Sequence, residues 1–167
     1  MKHLTIVRHA KAERPDLHPK DFVRPLTTRG HKDAERIGEV LVKLDPPVDC
    51  IVSSPATRAA QTAEHLAAAI VYAKPIVWSE EAYDAQPIAL LNLIQGLADD
   101  VQHVMLVGHN PSLEEFVSGL VGTSPDGVIV TLATASIAQI DLEAVHWGLV
   151  RWGTGRLKLL VAAKYLK

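Results

Sequence analysis

The chain has 167 residues, 48% hydrophobic and 5% aromatic, and a formal net charge of -2 at pH 7, which fits one domain over residues 1–167. The weakly acidic balance and the lack of a polybasic segment argue against nucleic acid or a membrane surface as a partner. Because Cys50 is the only cysteine and no apolar run reaches membrane-spanning length, we exclude a disulfide framework, a thiolate metal site and a transmembrane helix, and we expect a cytoplasmic protein.

Strands and helices are predicted to alternate over the first 120 residues. Residues 4–7 are continuously apolar, as is typical of a buried parallel strand. Ser54-Pro55 and Asn110-Pro111 are expected to open two of the helices, as N-cap and first-turn residues. Three further short strands are indicated by "DCIVSSP", "KPIVWSE" and "HVMLVGHNP", and apolar residues at helical spacing predict helices over 34–44, 59–70, 88–97 and 113–120.

The last third of the chain has a different pattern. The segments "VIVTLATASIAQIDLE" and "HWGLVRWGTGRLKLLV" are rich in β-formers and predict a meander or hairpin at one edge of the sheet. The expected fold class is therefore α/β, a three-layer α/β/α arrangement with a mainly parallel central sheet and an antiparallel C-terminal edge.

Basic side chains follow three of the predicted strands. Arg8 and His9 end the first strand, Arg58 lies in the first turn of the helix after the second, and His109 follows the fourth. Any one of them alone is more typical of a surface group or a satisfied hydrogen-bond partner. Their recurrence at the carboxyl ends of parallel strands, where open α/β sheets bind ligands, predicts that they meet in one site.

These residue types suit a phosphate group. Guanidinium groups bind phosphate oxygens bidentately, and helix N-termini add backbone donors. A neutral His9 ring could attack phosphorus in line, provided that an acceptor fixes its other nitrogen. His109 would then donate to the equatorial oxygens while Arg8 and Arg58 neutralise charge, so no metal and no other cofactor is required.

Four motifs resemble those of the histidine phosphatase superfamily, which has the phosphoglycerate mutase-like fold, and within it the small SixA-type phosphohistidine phosphatases. Singly they are weak, but their combination is specific. They are "VRHAKAE" at 7–13, "RPLTTRGHKDA" at 24–34, "SSPATRAAQTAE" at 53–64 and "LVGHNPSLEEF" at 106–116.

This resemblance implies that His9 is phosphorylated during turnover and that Arg8, Arg58 and His109 line the phosphate pocket, without a metal. One departure is Ala10, which stands where the superfamily commonly has glycine. We interpret it as a variation in turn geometry that leaves activity intact.

The proton donor is predicted from the same resemblance. Superfamily members that act on phosphate esters generally use Glu or Asp to protonate the leaving alkoxide, and "WSEEAYDA" lies where that acid is commonly found. Glu81 is preferred to Glu80, although both glutamates fit a solvated acidic loop equally well. Asp21 and Glu13 are more distant candidates.

Three functions remain open from the sequence. The first is dephosphorylation of phosphohistidine in a protein, which needs little acid catalysis because imidazole leaves more easily than an alkoxide. Only 27 residues separate Glu81 from His109, so the site is expected to be open enough for a protein substrate. The second is hydrolysis of a small phosphoester, and the third is phosphate or phosphoprotein binding without turnover, against which the presence of both histidines argues.

Overall fold

The computed structural model of the protein describes residues 1–122 and 127–166. None of the helices in these ranges is both long and apolar enough to cross a lipid bilayer. The strands are β1 (Lys2–Arg8), β2 (Cys50–Ser53), β3 (Val77–Trp78), β4 (His103–Gly108), β5 (Ser136–Leu142) and β6 (Gly155–Ala162), and the helices are α1 (Thr28–Leu41), α2 (Thr57–Ala69), α3 (Pro87–Gln95) and α4 (Ser112–Val121).

The strands form one sheet in the order β3-β2-β4-β1-β5-β6. The first four are parallel, while β5 pairs antiparallel with β1 and β6 antiparallel with β5. The register aligns Arg8 with Gly108 and Ser53 with Val107, so β1, β2 and β4 end at the same level. The predicted mainly parallel sheet with an antiparallel C-terminal edge is confirmed.

Helices cover both faces of the sheet because successive side chains of a strand point to opposite faces. On β1, Leu4 and Ile6 pack in one core with residues of α3 and α4. The neighbouring Val7 packs in the other core with residues of α1 and α2. This division into two cores confirms the three-layer α/β/α architecture.

Two predicted helix starts are wrong. Helix α2 begins at Thr57, because Ser54 accepts a hydrogen bond from the Ala56 amide (3.3 Å) and contacts His109 instead of capping the helix. Helix α4 begins at Ser112, one residue later than expected.

The β-rich segments are also shorter than predicted. Only residues 77–78 of "KPIVWSE" form a strand, and the C-terminal strands begin at Ser136 and Gly155. Before β6, Trp147 is fully buried in a short 3-10 turn, and its indole N–H donates to the Val101 carbonyl at 2.9 Å. A 3-10 turn that buries this large ring stands where a strand was predicted. The local sequence pattern does not reveal this burial.

Candidate active site

A cavity of about 560 Å³ lies at the carboxyl ends of β1, β2 and β4. Arg8, His9, Arg58 and His109 all line it, so the structure brings together the four residues predicted to bind phosphate. The ring centroids of His9 and His109 are 5.1 Å apart. The other lining residues are Lys11, Ala12, Asp21, Arg24, Tyr83, Asp84, Asn110, Ser112 and Thr134.

The hydrogen bonds of His9 determine its tautomer. Its Nδ1 lies 2.7 Å from the carbonyl oxygen of Ala10, and a carbonyl can only accept, so Nδ1 bears the proton. The unprotonated Nε2 then accepts a hydrogen bond from Nε of Arg58 at 3.2 Å. His9 therefore presents a lone pair on Nε2 beside a guanidinium group, as an in-line nucleophile requires.

Ala10 fits this turn without glycine. Its amide donates to Thr62 Oγ1 at 3.1 Å, and its φ is not among the positive values of the non-glycine residues in the described chain. A side chain at this position consequently causes no left-handed strain, which agrees with the interpretation of Ala10 as a tolerated variation.

Arg58 is held by the loop that precedes α1. Its Nη1 donates to the backbone oxygen of Asp21 and its Nη2 to the Asp21 carboxylate, both at 2.8 Å. The Tyr83 hydroxyl donates to the same carboxylate at 3.1 Å, and Arg24 contacts its other oxygen. Although burial acts to raise it, the hydrogen bonds and charges of Arg24 and Arg58 lower the pKa of Asp21 to about 2. Asp21 is thus an anion that orients Arg58.

His109 shares a hydrogen bond with Ser54. Its Nε2 lies 2.8 Å from Ser54 Oγ, which accepts from the Ala56 amide and has its own hydrogen to donate. This arrangement favours the tautomer with the proton on Nδ1. In this tautomer the Nδ1–H of His109 is buried and has no hydrogen-bond partner within the described residues.

Unpartnered polar atoms concentrate at this cavity. Arg8 donates from Nη1 to the Leu132 carbonyl (2.6 Å) and Asn110 from Nδ2 to the same oxygen (3.0 Å). Of four buried side-chain atoms without a partner in the described chain, three belong to lining residues: Arg8 Nε, His109 Nδ1 and Asn110 Oδ1. Since buried polar groups are normally paired, the cavity is suited to a polar ligand.

Both imidazoles are neutral at physiological pH. Burial, aided by the charges of Arg58 and Arg8, lowers the pKa of His9 to about 4. Burial, together with His9 and Arg58, lowers the pKa of His109 to about 3. The nucleophilic form of His9 is therefore the prevailing form in the free protein at pH 7.

The pH profile of kcat/KM should report these values, because it reflects the ionisations of the free enzyme. A lowered pKa keeps His9 unprotonated as the pH falls, so we expect the acid limb near pH 4 instead of near 6.5. The measurement uses an aryl phosphate whose own ionisation is titrated separately. A limb near pH 6.5 that remains after correction for the substrate would contradict this prediction.

The carboxylates considered as proton donors differ in whether they line the cavity. Glu80 and Glu81 are exposed residues of the 3-10 turn Glu80–Ala82, and neither lines the cavity. Glu13 accepts from His18 at 2.6 Å and also lies outside the lining. Glu81 therefore stays a prediction, and Asp84, an exposed carboxylate that does line the cavity, becomes a second candidate.

Ser54, Asn110 and Tyr83 were not predicted as site residues, and Asp21 was predicted only as a distant proton-donor candidate. Ser54 directly follows the end of β2 and Asn110 is two residues after the end of β4, so their place near the strand ends was the available signal. Asp21 and Tyr83 belong to loops, and 62 residues separate them along the chain. No local pattern predicts that such loops meet over Arg58.

The sequence is similar to a known protein family and to several relatives. Residues 4–82 match the family model described as "Histidine phosphatase superfamily (branch 1)". An uncharacterised protein of Mycobacterium tuberculosis is 31% identical over 157 residues, covering 90% of this chain and 96% of the relative. An uncharacterised chloroplastic protein of Arabidopsis thaliana is 30% identical over 155 residues, covering 87% and 69%.

Solved structures match over nearly the whole chain. A proposed phosphohistidine phosphatase SixA from Agrobacterium tumefaciens superposes with a TM-score of 0.80 at 29% identity, covering 96% of this chain and 97% of that one. The proposed phosphohistidine phosphatase SixA from Nakamurella multipartitia superposes with a TM-score of 0.82 at 25% identity, covering 96% of this chain and 95% of that one. A protein histidine phosphatase SixA in complex with tungstate superposes with a TM-score of 0.83 at 23% identity, covering 99% of both chains. This match shows that the two proteins share a fold.

Proposed function

Because this chain belongs to the histidine phosphatase superfamily it is a phosphatase. We propose that it is a cytoplasmic enzyme that removes phosphate from phosphohistidine in a protein, through a phosphorylated His9. The similarity to two proteins described as phosphohistidine phosphatases SixA supports this choice of substrate. The position of His9 in the cavity lining supports the choice of nucleophile, as does its unprotonated Nε2, which accepts a hydrogen bond from Arg58.

In the first step, His9 Nε2 attacks phosphorus and forms a new P–N bond as the P–N bond of the substrate breaks. The electron pair of the broken bond goes to the departing imidazole nitrogen, which takes a proton from solvent. Arg8, Arg58 and the N–H of His109 stabilise the charge on the equatorial oxygens. In the second step, water attacks phosphorus, phosphate leaves, His9 regains its lone pair and the water proton returns to solvent.

The observation that carries the choice of substrate is the state of the lining carboxylates. Among the described residues that line the cavity, these are Asp21 and Asp84. Asp21 is ionised by its arginine partners, and Asp84 is exposed at the rim. Expulsion of an alkoxide demands a protonated acid over the leaving group, whereas expulsion of imidazole makes a much smaller demand. The site therefore suits a P–N bond better than an alkyl ester.

A small-molecule phosphomonoesterase is the second candidate, and Asp84 is the observation that favours it. A carboxylate at the rim of the cavity is placed to protonate an alkoxide if its proton is retained in the enzyme–substrate complex.

The substrates are separated by kcat/KM for a phosphohistidine peptide, an aryl phosphate and an alkyl phosphate. We expect the phosphohistidine peptide to exceed the alkyl phosphate by at least about 100-fold, since the alkyl ester lacks an effective acid. Equal or higher activity on the alkyl phosphate would overturn the proposal. Spontaneous hydrolysis of phosphohistidine is subtracted with a His9→Ala blank.

Glu81→Gln and Asp84→Asn then test the proton donor. Replacement of the true donor is expected to lower the ratio of kcat/KM on the alkyl phosphate to kcat/KM on the phosphohistidine peptide by about tenfold. A variant that leaves this ratio unchanged excludes that carboxylate, and loss of both activities to the same extent contradicts the leaving-group argument.

A further inference from the structure

A second, smaller cleft of about 180 Å³ adjoins the active-site cavity. The two share Lys11 and Thr134 as lining residues, so they lie next to each other at these side chains. The cleft is completed by Arg29, Asp33, Ala133 and Lys164.

Backbone hydrogen bonds tie this cleft to the nucleophile. The carbonyl of His9 accepts from the Ala135 amide at 3.1 Å, which places Thr134 beside the active site. The Ala135 carbonyl in turn accepts from Ala163 at 2.8 Å, one residue before Lys164. The carbonyl of Lys11, two residues after His9, accepts from Thr27 at 2.9 Å and so positions the first turn of α1, which includes Arg29.

The cleft is positively charged although the whole chain is not. Three basic side chains line it against one carboxylate, Asp33, and this carboxylate is nearly buried between Arg29 and Arg36, each at 3.4 Å. The two cavities together are lined by six basic and three acidic side chains, an excess of three positive charges in a protein with a net charge of -2. A field of this sign beside the phosphate site attracts a second anionic group.

We propose that the cleft formed by Lys11, Arg29 and Lys164 is a subsite for an acidic side chain close to the phosphorylated histidine of the protein substrate. The inference rests on the proposed function. The volume of the cleft fits a carboxylate, and Arg29 and Lys164 are exposed at its edge, where a chain lying across the surface can reach them. An ammonium group and a solvated guanidinium group select for charge more than for shape, so aspartate and glutamate both fit.

The test uses two phosphohistidine peptides that differ only in Glu or Gln at the positions flanking the phosphorylated histidine. We expect the wild-type protein to have a lower KM for the Glu peptide, with a preference that weakens as salt is added. The double variant Arg29→Gln/Lys164→Gln is expected to reduce the KM preference by about three- to tenfold, the effect of two exposed ion pairs. The loss should lie in KM and not in kcat, because neither side chain lines the main cavity.

The matched control is Lys43→Gln, which removes an exposed positive charge two residues beyond the C-terminal end of α1 and should leave the preference unchanged. Equal KM values for the two peptides in the wild-type protein, or an equal effect of Lys43→Gln, would overturn the subsite. Activity on both peptides without a preference defeats the subsite alone. Activity on an alkyl phosphate and on neither peptide defeats the proposed function itself.

Discussion

Replacement of His9 by alanine is expected to lower turnover of a phosphohistidine peptide by at least about 1,000-fold, the scale seen when a covalent nucleophile is removed. The reason is geometric: His9 Nε2 is an unprotonated ring nitrogen beside the Arg58 guanidinium group, with its tautomer fixed by the Ala10 carbonyl. Steady-state phosphate release gives the rate. Intact-protein mass after rapid quenching without acid shows whether a phosphate is added, and fragmentation of the protein in the mass spectrometer locates it.

His146→Ala is the matched control for this experiment. His146 is exposed and pairs with Asp99 at 2.9 Å, outside the cavity, so its loss should leave the rate unchanged. Circular dichroism and thermal unfolding check that both variants are folded. Retention of more than a tenth of the rate in His9→Ala, or a phosphate mapped to His109, would show that the nucleophile is assigned to the wrong residue.

Arg58→Ala is expected to reduce kcat/KM by about 100- to 1,000-fold, the loss typical of a preorganised donor to the transition state. The substitution removes the guanidinium beside His9 Nε2 and also leaves the Asp21 carboxylate, now without this partner, near the incoming phosphate. Competitive inhibition by inorganic phosphate should weaken in parallel, because ground-state recognition uses the same charge.

A double variant distinguishes these two effects. If the Asp21 carboxylate, having lost Arg58, repels phosphate, adding Asp21→Asn to Arg58→Ala should restore kcat/KM several-fold, a non-additive effect expected of residues in contact. Thermal unfolding of each protein separates loss of the site from loss of the fold. A kcat/KM in Arg58→Ala within threefold of wild type would rule out the role given to Arg58.

The convergence of the four predicted residues could be foreseen because it depends on regular structure. A continuously apolar segment that ends abruptly in Arg8 and His9 defines both a buried strand and its carboxyl end. Parallel strands end at the same edge of a sheet, so Arg58 and His109, which follow β2 and β4, had to approach that edge.

The remaining parts of the site depend on contacts between segments that are far apart in sequence. Asp21 contacts Arg58 across 37 residues, and Ser54, interpreted as a helix cap, contacts His109 across 55. In both cases a side chain had more than one available partner, and local preference for a cap is worth about 1 kcal/mol, which tertiary contacts readily exceed.

By itself the sequence determined the alternation of strands and helices, the layered fold and the edge of the sheet at which the chemistry lies, because hydrophobic periodicity and strand direction are local properties. Only the tertiary structure decided the tautomers of His9 and His109, the ionised state of Asp21 and the position of the cationic cleft. These features arise from burial and from hydrogen bonds between loops, and both exist only once the chain has folded.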